Sequence, residues 1–264
     1  MKVLAIGDPH GNLEGISKMP LKEADIILLT GDIGSANLMR KMSFDNVERL
    51  AKGLPKIEYS PTQKKRAFME AYNSSMKLIR HLARFAPVFT IFGNVESSNR
   101  DTKAESKKIG LKLPLLYDSL IRIPQVSVIN GKGVDISGLK VGGIGYFEDS
   151  CWVREFKPSK YQKRLKKAVK DTHKASKILN KFEGLDILVA HQPPLGILDK
   201  VSFSGAPKSW LGKHAGSKAL LDYIKRRQPR YVFCGHIHEA AGEARIGRTQ
   251  VYNLGCCEYR LIDI

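Results

Sequence analysis

Residues 2–11 read KVLAIGDPHG, a short apolar run followed at once by a glycine, an aspartate and a histidine. The apolar part, Lys2 to Ile6, has the length and composition of a buried strand. Further apolar runs share this arrangement, each ending at a polar motif: Asp25 to Thr30, Pro87 to Phe92, Leu185 to Ala190 and Arg230 to Cys234. Because open α/β sheets bind ligands beyond the carboxyl ends of their strands, the repetition predicts one functional site at that edge.

The polar motifs at these strand ends share side chains that bind metals. They are Gly7-Asp8-Pro9-His10, Gly31-Asp32, Gly93-Asn94-Val95-Glu96, His191-Gln192-Pro193-Pro194 and Gly235-His236-Ile237-His238. Their aspartate, asparagine and histidine side chains suit divalent transition metals. Each residue alone is explained by a turn, a helix cap or a core hydrogen bond, but four of the seven histidines lie in these motifs. The combination predicts a site for two metal ions.

The spacing inside two motifs supports that interpretation. Asp8 and His10 are two residues apart at a strand end, and His236 and His238 repeat the spacing. Side chains at i and i+2 of an extended segment project to the same side. Asp32 emerges at another strand end, where both of its oxygens could bridge two ions.

The rest of the chain predicts a layered α/β architecture. Helices are predicted at Ala36 to Ala51, Pro61 to Phe85, Pro158 to Phe182 and Ser217 to Gln228. A meander of short strands is predicted at Ile121 to Ile123, Val126 to Ile129, Val134 to Ile136 and Leu139 to Ile144. Thr249 to Asn253 and Glu258 to Ile264 are interpreted as a final hairpin. We expect one sheet that alternates with helices and a second sheet built from hairpins.

Length and composition indicate one large domain. The chain has 264 residues and is 42% hydrophobic, which suffices for a full core. No linker rich in glycine, proline or serine divides the sequence. We therefore expect a single domain over residues 1–264, with helical elaborations around residues 36–86 and 148–182.

The formal net charge is +18, and its densest part lies between Lys157 and Lys181, where Asp171 is the one acid. Such a surface could attract nucleic acid. The alternative is a solvated helix face, because a core-facing stripe recurs at helical spacing. That stripe consists of Tyr161, Leu165, Val169, Thr172, Ser176, Leu179 and Phe182. We favour the solvated face, since no aromatic residues are interleaved on the basic side to stack bases.

Cellular location is inferred from the ends of the chain and its cysteines. The first motif begins too early for a signal peptide to precede it, and no apolar run approaches the roughly 18 residues that span a bilayer. The four cysteines are Cys151, Cys234, Cys256 and Cys257, which include no CxxC pair. We expect a cytoplasmic protein with reduced thiols and no membrane partner.

The order and content of the motifs resemble the calcineurin-like metallophosphoesterase superfamily. Its pattern runs Asp-x-His, Gly-Asp, Gly-Asn-His-Asp/Glu, His and Gly-His-x-His, and here the match spans Asp8 to His238. The resemblance implies a sandwich of two mixed sheets flanked by helices. It implies one ion held by Asp8, His10, Asp32 and His238, and a second held by Asp32, Asn94, His191 and His236. Mn²⁺ is the metal expected first, with Fe, Zn or Ni as alternatives.

The resemblance also implies an activity on phosphate esters. Two ions about 3.5 to 4 Å apart can lower the pKa of a bridging water and direct the hydroxide at phosphorus. We therefore expect a metal-dependent phosphoesterase, and a phosphodiesterase in particular. A nuclease is a narrower form of this hypothesis that rests on the basic surface.

The third motif departs from the family pattern at Val95. The family has histidine here, which helps the leaving group depart, whereas valine can neither donate a proton nor accept a hydrogen bond. We therefore expect aryl esters to be cleaved far better than alkyl esters. The departure also motivates a rival hypothesis, a non-catalytic protein-interaction scaffold that keeps the fold.

The long segment from Pro193 to Gly216 predicts a loop beside the site. His214 lies just before a predicted helix that Ser217 could cap, and we name it as a candidate substrate-binding residue. It is equally well explained as an ordinary loop residue. Trp210 in the same loop is interpreted either as part of a specificity wall or as an anchor in the core.

Overall fold

The structure, a computed structural model, describes residues 1–264 apart from the side chain at position 51. A first sheet contains β1 (Lys2–Ile6), β2 (Ile26–Leu29), β3 (Val88–Thr90), β4 (Val126–Val128) and β11 (Tyr259–Asp263). The strand order is β11-β1-β2-β3-β4. Strands β1 to β4 run parallel, and β11 pairs antiparallel with β1, placing Arg260 opposite Ala5. The first sheet is therefore mixed.

A second sheet contains β5 (Lys132–Ile136), β6 (Leu139–Ile144), β7 (Ile187–Ala190), β8 (Tyr231–Cys234), β9 (Gly242–Ile246) and β10 (Thr249–Asn253). The strand order is β5-β6-β7-β8-β10-β9. Strands β6, β7, β8 and β10 are parallel, while β5 and β9 are antiparallel edge strands. The expectation that this sheet is built from hairpins was wrong, because only its two edges form hairpins.

Helices flank the two sheets. They are α1 (Leu13–Ser17), α2 (Asn37–Ala51), α3 (Pro61–Leu82), α4 (Asn99–Ile109), α5 (Leu116–Leu120), α6 (Ser150–Phe156), α7 (Tyr161–Asn180) and α8 (Lys218–Arg227). Helix α3 begins with a capping box in which Ser60 and Gln63 bond each other's backbone N–H groups. The side chain of Ser217 caps α8 by accepting from the N–H of Leu220, as its position predicts.

The core is divided by the alternation of side chains along the strands. Val3 and Ala5 of β1 lie in the cluster between the sheets, together with Val189 of β7. Leu4 on the opposite face belongs to a second cluster, where it packs with residues such as Ile79 of α3. A third cluster joins the second sheet to α7 and α8. The result is a sandwich of helix, sheet, sheet and helix, which confirms the predicted fold class.

The final hairpin was predicted wrongly. β10 pairs with β8 and β9 in the second sheet, whereas β11 pairs with β1 in the first. Both runs are short and partly apolar. Their residue pattern predicts a strand but does not determine which neighbouring strand each one pairs with. Ile121 to Ile123 is also not a strand, because Ile121 caps the C-terminus of α5 and a turn follows.

The two regions expected to elaborate the fold are helical. Residues 36–86 contain α2 and α3, and residues 148–182 contain α6 and α7. In α7 the buried residues are Ala168, Ala175 and Leu179, whereas Val169 is 44% exposed, which corrects its place in the predicted stripe. That residues 1–264 form a single domain stays a prediction. Among the described residues, no helix combines the length and the apolar character needed to cross a lipid bilayer.

Candidate metal centre

The seven predicted ligand residues converge at the carboxyl ends of five strands. Asp8 and His10 follow β1, Asp32 follows β2, Asn94 follows β3, His191 follows β7, and His236 and His238 follow β8. The parallel strands of both sheets end at the same edge of the sandwich, and this brings residues from distant parts of the chain within contact distance.

A first group gathers around Asp8. One ligand atom each from Asp8, His10 and Asp32 lies within 4.8 Å of the others. His238 completes the group, since its Nε2 lies 3.1 Å from Oδ2 of Asp8 and 3.4 Å from Nε2 of His10. Two carboxylates and two imidazoles grouped in this way can hold a divalent ion.

A second group gathers around His191. Its Nε2 lies 3.0 Å from Oδ1 of Asn94 and 3.8 Å from Oδ1 of Asp32. The ring of His236 lies 4.8 Å from the ring of His191, measured between centroids. Asp32 also has Oδ2 at 3.8 Å from Nε2 of His10, so its two oxygens face the two groups.

Hydrogen bonds orient the predicted ligands. Nδ1 of His191 lies 2.9 Å from the carbonyl oxygen of Thr30, to which it donates, and this turns Nε2 toward Asn94 and Asp32. The hydroxyl of Thr30 donates to Oδ1 of Asp8 at 2.6 Å. Such outer contacts fix the tautomer of a histidine that binds a metal, so the arrangement fits a metal site.

The protonation states of three predicted ligands suit metal binding, whereas those of two others must change when a metal binds. Burial raises the pKa of Asp32, and for His191 burial lowers the pKa but Asp8 and Asp32 outweigh it and raise it. Burial, then the charges of Arg40 and other neighbours, lower the pKa of His10 to about 4. Burial and the neighbouring His191 lower the pKa of His236 to about 3. Burial raises the pKa of Asp8, but His191, His238 and Thr30 outweigh it and lower the pKa to about 2. Neutral imidazoles and an ionised carboxylate are the forms that bind a cation.

Left-handed backbone occurs at three of the predicted ligands. His10, Asp32 and His236 have φ values of 45°, 43° and 68°. This conformation is costly for residues other than glycine and collects at functional sites. The backbone of Gly93 also approaches the site closely, since a Cβ atom at this position would collide with Oδ1 of Asp32.

Glu96 is a half-buried residue whose role the sequence did not reveal. Its Oε1 accepts from the N–H of Ile33 and its Oε2 from the N–H of Gly93, both at 2.8 Å. These bonds tie the loop after β2 to the loop after β3. Burial and the nearby charge of Asp32 raise the pKa of Glu96 to about 7.

Val95 contacts the site through its backbone. Its N–H donates to Oδ1 of Asp32 at 2.8 Å. The residue lines a cavity of about 30 Å³ that it shares with Met39, Phe68 and Leu116. The side chain of Val95 therefore faces apolar side chains of α2, α3 and α5 across this cavity.

Three further residues reach the centre without a sequence signal. Arg40 of α2 places a guanidinium nitrogen 3.0 Å from Nε2 of His10. The ring of Tyr146 lies 5.4 Å from that of His236, and burial, then Glu148, raises the pKa of Tyr146 to about 12. Cys256 forms a group of potential ligands with His10 and His238. They follow no motif, and tertiary packing alone brings them here.

His214 lies in the long loop. Its Nδ1 is 2.6 Å from Oδ1 of Asp199, and half of its side chain is exposed. Oδ2 of Asp199 accepts from the N–H groups of Gly196 and Gly216, so Asp199 holds both ends of the loop together. A substrate-binding role for His214 stays a prediction.

Trp210 of the same loop packs against α6. Its ring lies 5.7 Å from that of Trp152 and 5.2 Å from that of Phe156. It also lines a cavity of about 870 Å³ that reaches Asn94, His236 and His238. Trp210 therefore packs in an apolar cluster, as an anchor would, and also lines a cavity, as a specificity wall would.

Comparisons with known proteins identify relatives of this chain. The model for the calcineurin-like phosphoesterase family matches residues 1–240. UPF0046 protein T07D4.2 from Caenorhabditis elegans is 26% identical over 276 residues, covering 99% of this chain and 57% of that protein. Metallophosphoesterase domain-containing protein 1 from Homo sapiens is 43% identical over 76 residues, covering 28% of this chain and 21% of that protein. The chain thus spans little more than half of the first relative and a fifth of the second.

A solved structure shares the fold. The structure of a dimetal phosphatase from Danio rerio superposes with a TM-score of 0.51 at 11% identity, covering 98% of this chain and 88% of that chain. At this identity the likeness concerns the fold of two mixed sheets alone.

Proposed function

Because this chain belongs to the calcineurin-like phosphoesterase family, we propose that it is a phosphodiesterase that uses two divalent ions at the strand ends. The observation that carries the proposal is the position of Asp32. Its two carboxylate oxygens lie 3.8 Å from Nε2 of His10 and 3.8 Å from Nε2 of His191. A carboxylate between two ligand groups is the arrangement that a pair of ions requires.

Each ion would have four protein ligands. Asp8, His10, Asp32 and His238 would hold one ion, and Asp32, Asn94, His191 and His236 would hold the other. The oxygen and nitrogen donors of this set suit Mn²⁺, and its imidazoles also accept Fe, Zn or Ni. The short distances within each group and the hydrogen bond that orients His191 support the assignment.

When bound, two divalent ions supply a water of lowered pKa and positive charge against the phosphoryl oxygens. The chain's own residues then position the reacting ester. Arg40, 3.0 Å from Nε2 of His10, carries a permanent charge that can bind a phosphoryl oxygen. Tyr146 is protonated at neutral pH, as tyrosines are, and burial and then Glu148 raise its pKa further to about 12, so its hydroxyl can donate a hydrogen bond.

A diester is favoured over a monoester by the space beside the centre. The cavity of about 870 Å³ starts at Asn94, His236 and His238 and continues under the long loop. The two ester substituents of a diester would both have room there, whereas a monoester has only one such group to place.

The proposal is tested with an aryl phosphodiester and the matching aryl phosphomonoester. Protein stripped with a chelator should be inactive, and Mn²⁺ should restore turnover, with the diester cleaved faster than the monoester. Faster hydrolysis of the monoester would still show a metal-dependent phosphoesterase, but it would overturn the assignment as a phosphodiesterase.

A protein-interaction scaffold is the rival hypothesis, motivated by Val95. It predicts no turnover of either ester with Mn²⁺, Fe²⁺, Ni²⁺ or Zn²⁺.

A cytoplasmic location and nucleic acid as a partner both stay predictions. For nucleic acid, part of the basic surface is neutralised within the chain, since Arg164 pairs with Glu148 and Lys167 lies 2.7 Å from Asp171.

A further inference from the structure

The cavity beside the metal centre has several aromatic rings in its wall. Its volume of about 870 Å³ falls in the range of small-molecule sites, roughly 300 to 1,000 Å³. The rings that line it belong to Phe44, Tyr146, Trp152, Phe156, Phe203 and Trp210. They come from α2, α6, the segment after β6 and the long loop after β7.

The inner rings hold one another in place. Trp152 stacks on Phe156 at 5.0 Å between centroids, and Trp210 meets both rings edge-on. Val201 and Ala215 of the loop pack into the same apolar cluster. A wall fixed in this way needs little reordering when a ligand enters, and this favours binding.

The outer rings are free to contact a ligand. Phe44 is 55% exposed and Phe203 is 52% exposed, although both line the cavity. Exposed phenylalanines at a cavity mouth gain favourable burial and ring contacts when a second aromatic group covers them.

Polar side chains of the wall are already engaged within the protein. Buried Asp149 accepts from the hydroxyl of Ser217 at 2.7 Å and from the N–H of Cys151 at 3.0 Å. Glu239 accepts from the backbone N–H groups at positions 202 and 203, both at 3.1 Å. A ligand deep in the cavity therefore meets ring faces and edges instead of free carboxylates.

Positive charge borders the same cavity. Arg40, which lines it, lies 3.0 Å from Nε2 of His10, whereas Trp152 and Trp210 pack against each other on the wall. Tyr146 also lines the cavity, and its ring lies 5.4 Å from the ring of His236. A ligand that matches this lining carries both an anionic group and a flat apolar group.

From this geometry we propose that the cavity is a subsite for a planar aromatic group attached to the phosphate of the substrate. The inference rests on the proposed function for the place of the phosphate, but the subsite itself exists without metal. A nucleobase and a simple aryl group share the required chemistry, and both are flat rings that stack on aromatic side chains.

The sequence provides a built-in reporter for this subsite. Trp152 and Trp210 are the two tryptophans of the chain, and both lie on the wall. Tryptophan fluorescence of metal-free protein can therefore be followed while phenylphosphonate, cyclohexylphosphonate or methylphosphonate is added. None of these compounds has an ester bond, so binding is measured without turnover.

Phenylphosphonate should change the fluorescence and bind about three- to tenfold more tightly than cyclohexylphosphonate, the range that aromatic pairing supplies. Methylphosphonate should bind more weakly than either. Equal affinities for the phenyl and cyclohexyl compounds would overturn the aromatic assignment, and equal affinities for all three would remove the subsite.

Variants test the wall directly. Phe203→Ala should lose most of the preference for phenyl, and Phe203→Leu should keep binding by apolar contact but lose the difference between phenyl and cyclohexyl. Phe85→Ala is the matched control, since Phe85 is a partly exposed phenylalanine that lines a different pocket. Loss of the preference in the control, or its retention in Phe203→Ala, would contradict the proposal.

Two further comparisons identify which kind of ring the subsite binds and distinguish the subsite proposal from the phosphodiesterase proposal. Adenosine 5′-monophosphate binding more tightly than ribose 5-phosphate identifies a nucleobase as the ring, whereas equal binding with the phenyl preference intact identifies a simple aryl group. A phenyl preference without metal-restored turnover keeps the subsite and overturns the phosphodiesterase. Metal-restored turnover without a phenyl preference keeps the phosphodiesterase and overturns the subsite.

Discussion

The guanidinium of Arg40 lies 3.0 Å from Nε2 of His10, although 29 residues separate them in the chain. The contact exists because α2 approaches the strand ends from the helical segment between β2 and β3. It puts a permanent positive charge beside one of the predicted metal ligands. Val95 offers no side-chain hydrogen bond at the neighbouring motif, so Arg40 becomes the strongest candidate for stabilising the transition-state charge.

Arg40→Ala should therefore lower kcat/KM for an aryl diester by about 10- to 100-fold, the worth of one charge-assisted hydrogen bond. Arg40→Lys should recover only part, because lysine lacks the planar donor pair. Lys41→Ala, which removes the same charge from the next residue of α2, should leave the kinetics unchanged. Equal losses at positions 40 and 41 would indicate a general field effect instead of a contact.

The rate should depend steeply on the leaving group. With valine in place of histidine, an alkoxide must depart without help from a general acid, an effect of about 10²- to 10⁴-fold. A series of methyl aryl phosphates with phenols of increasing pKa measures this, since only the leaving group changes. A flat dependence would show that another acid acts, and Tyr146→Phe would then test Tyr146, whose ring lies 5.4 Å from that of His236.

Glu96→Gln should loosen the metal centre. The carboxylate accepts from Ile33 and Gly93 with separate oxygens, and an amide can replace only one of these acceptors. We expect metal affinity to fall about tenfold or more, as for other residues that orient metal ligands, and calorimetric titration with Mn²⁺ measures it. Glu105→Gln is the control, because Glu105 pairs with Lys108 on the surface of α4. An unchanged affinity in Glu96→Gln would show that the two loops hold their places without this link.

Acid should destabilise the metal-free protein through His236. Burial and then His191 lower its pKa from 6.5 to about 3. Between these values the unfolded chain binds a proton that the folded protein does not, so stability is lost as pH falls through 6.5. From about pH 7 to about pH 5 the contribution is about 2 kcal/mol.

Urea unfolding at both pH values measures that loss. His236→Asn should reduce it by a similar amount, whereas His173→Asn on the exposed side of α7 should not. Other groups also titrate in this range, so the difference between wild type and variant is the quantity that counts. An identical pH dependence in His236→Asn would contradict the assignment.

The strands and ligand candidates were predictable because they follow simple local rules. Apolar runs such as 187–190 could only be buried strands, and each was followed by a motif that converges at one sheet edge. Some missed helices also carried signals. Helix α4 starts after the capping serine Ser98 and ends at Gly110 in left-handed conformation, two features that could have located it.

Other features depend on contacts between distant segments. No local rule decides whether β11 pairs with β10 or with β1, because its side chains alternate in the same way against either partner. Glu96 belongs to a predicted motif, but its role depends on backbone groups of a different strand end. Arg40 and Trp152 resemble ordinary helix residues until packing brings them to the centre and its cavity.

The most direct test of the central claim is the number of Mn²⁺ ions per chain needed to restore hydrolysis of an aryl phosphodiester by chelator-stripped protein. The account predicts that turnover rises to a plateau at two ions per chain, and that Asp32→Asn loses both the turnover and the binding of one ion. Full activity with a single ion, or an Asp32→Asn variant as active as the wild type, would contradict it.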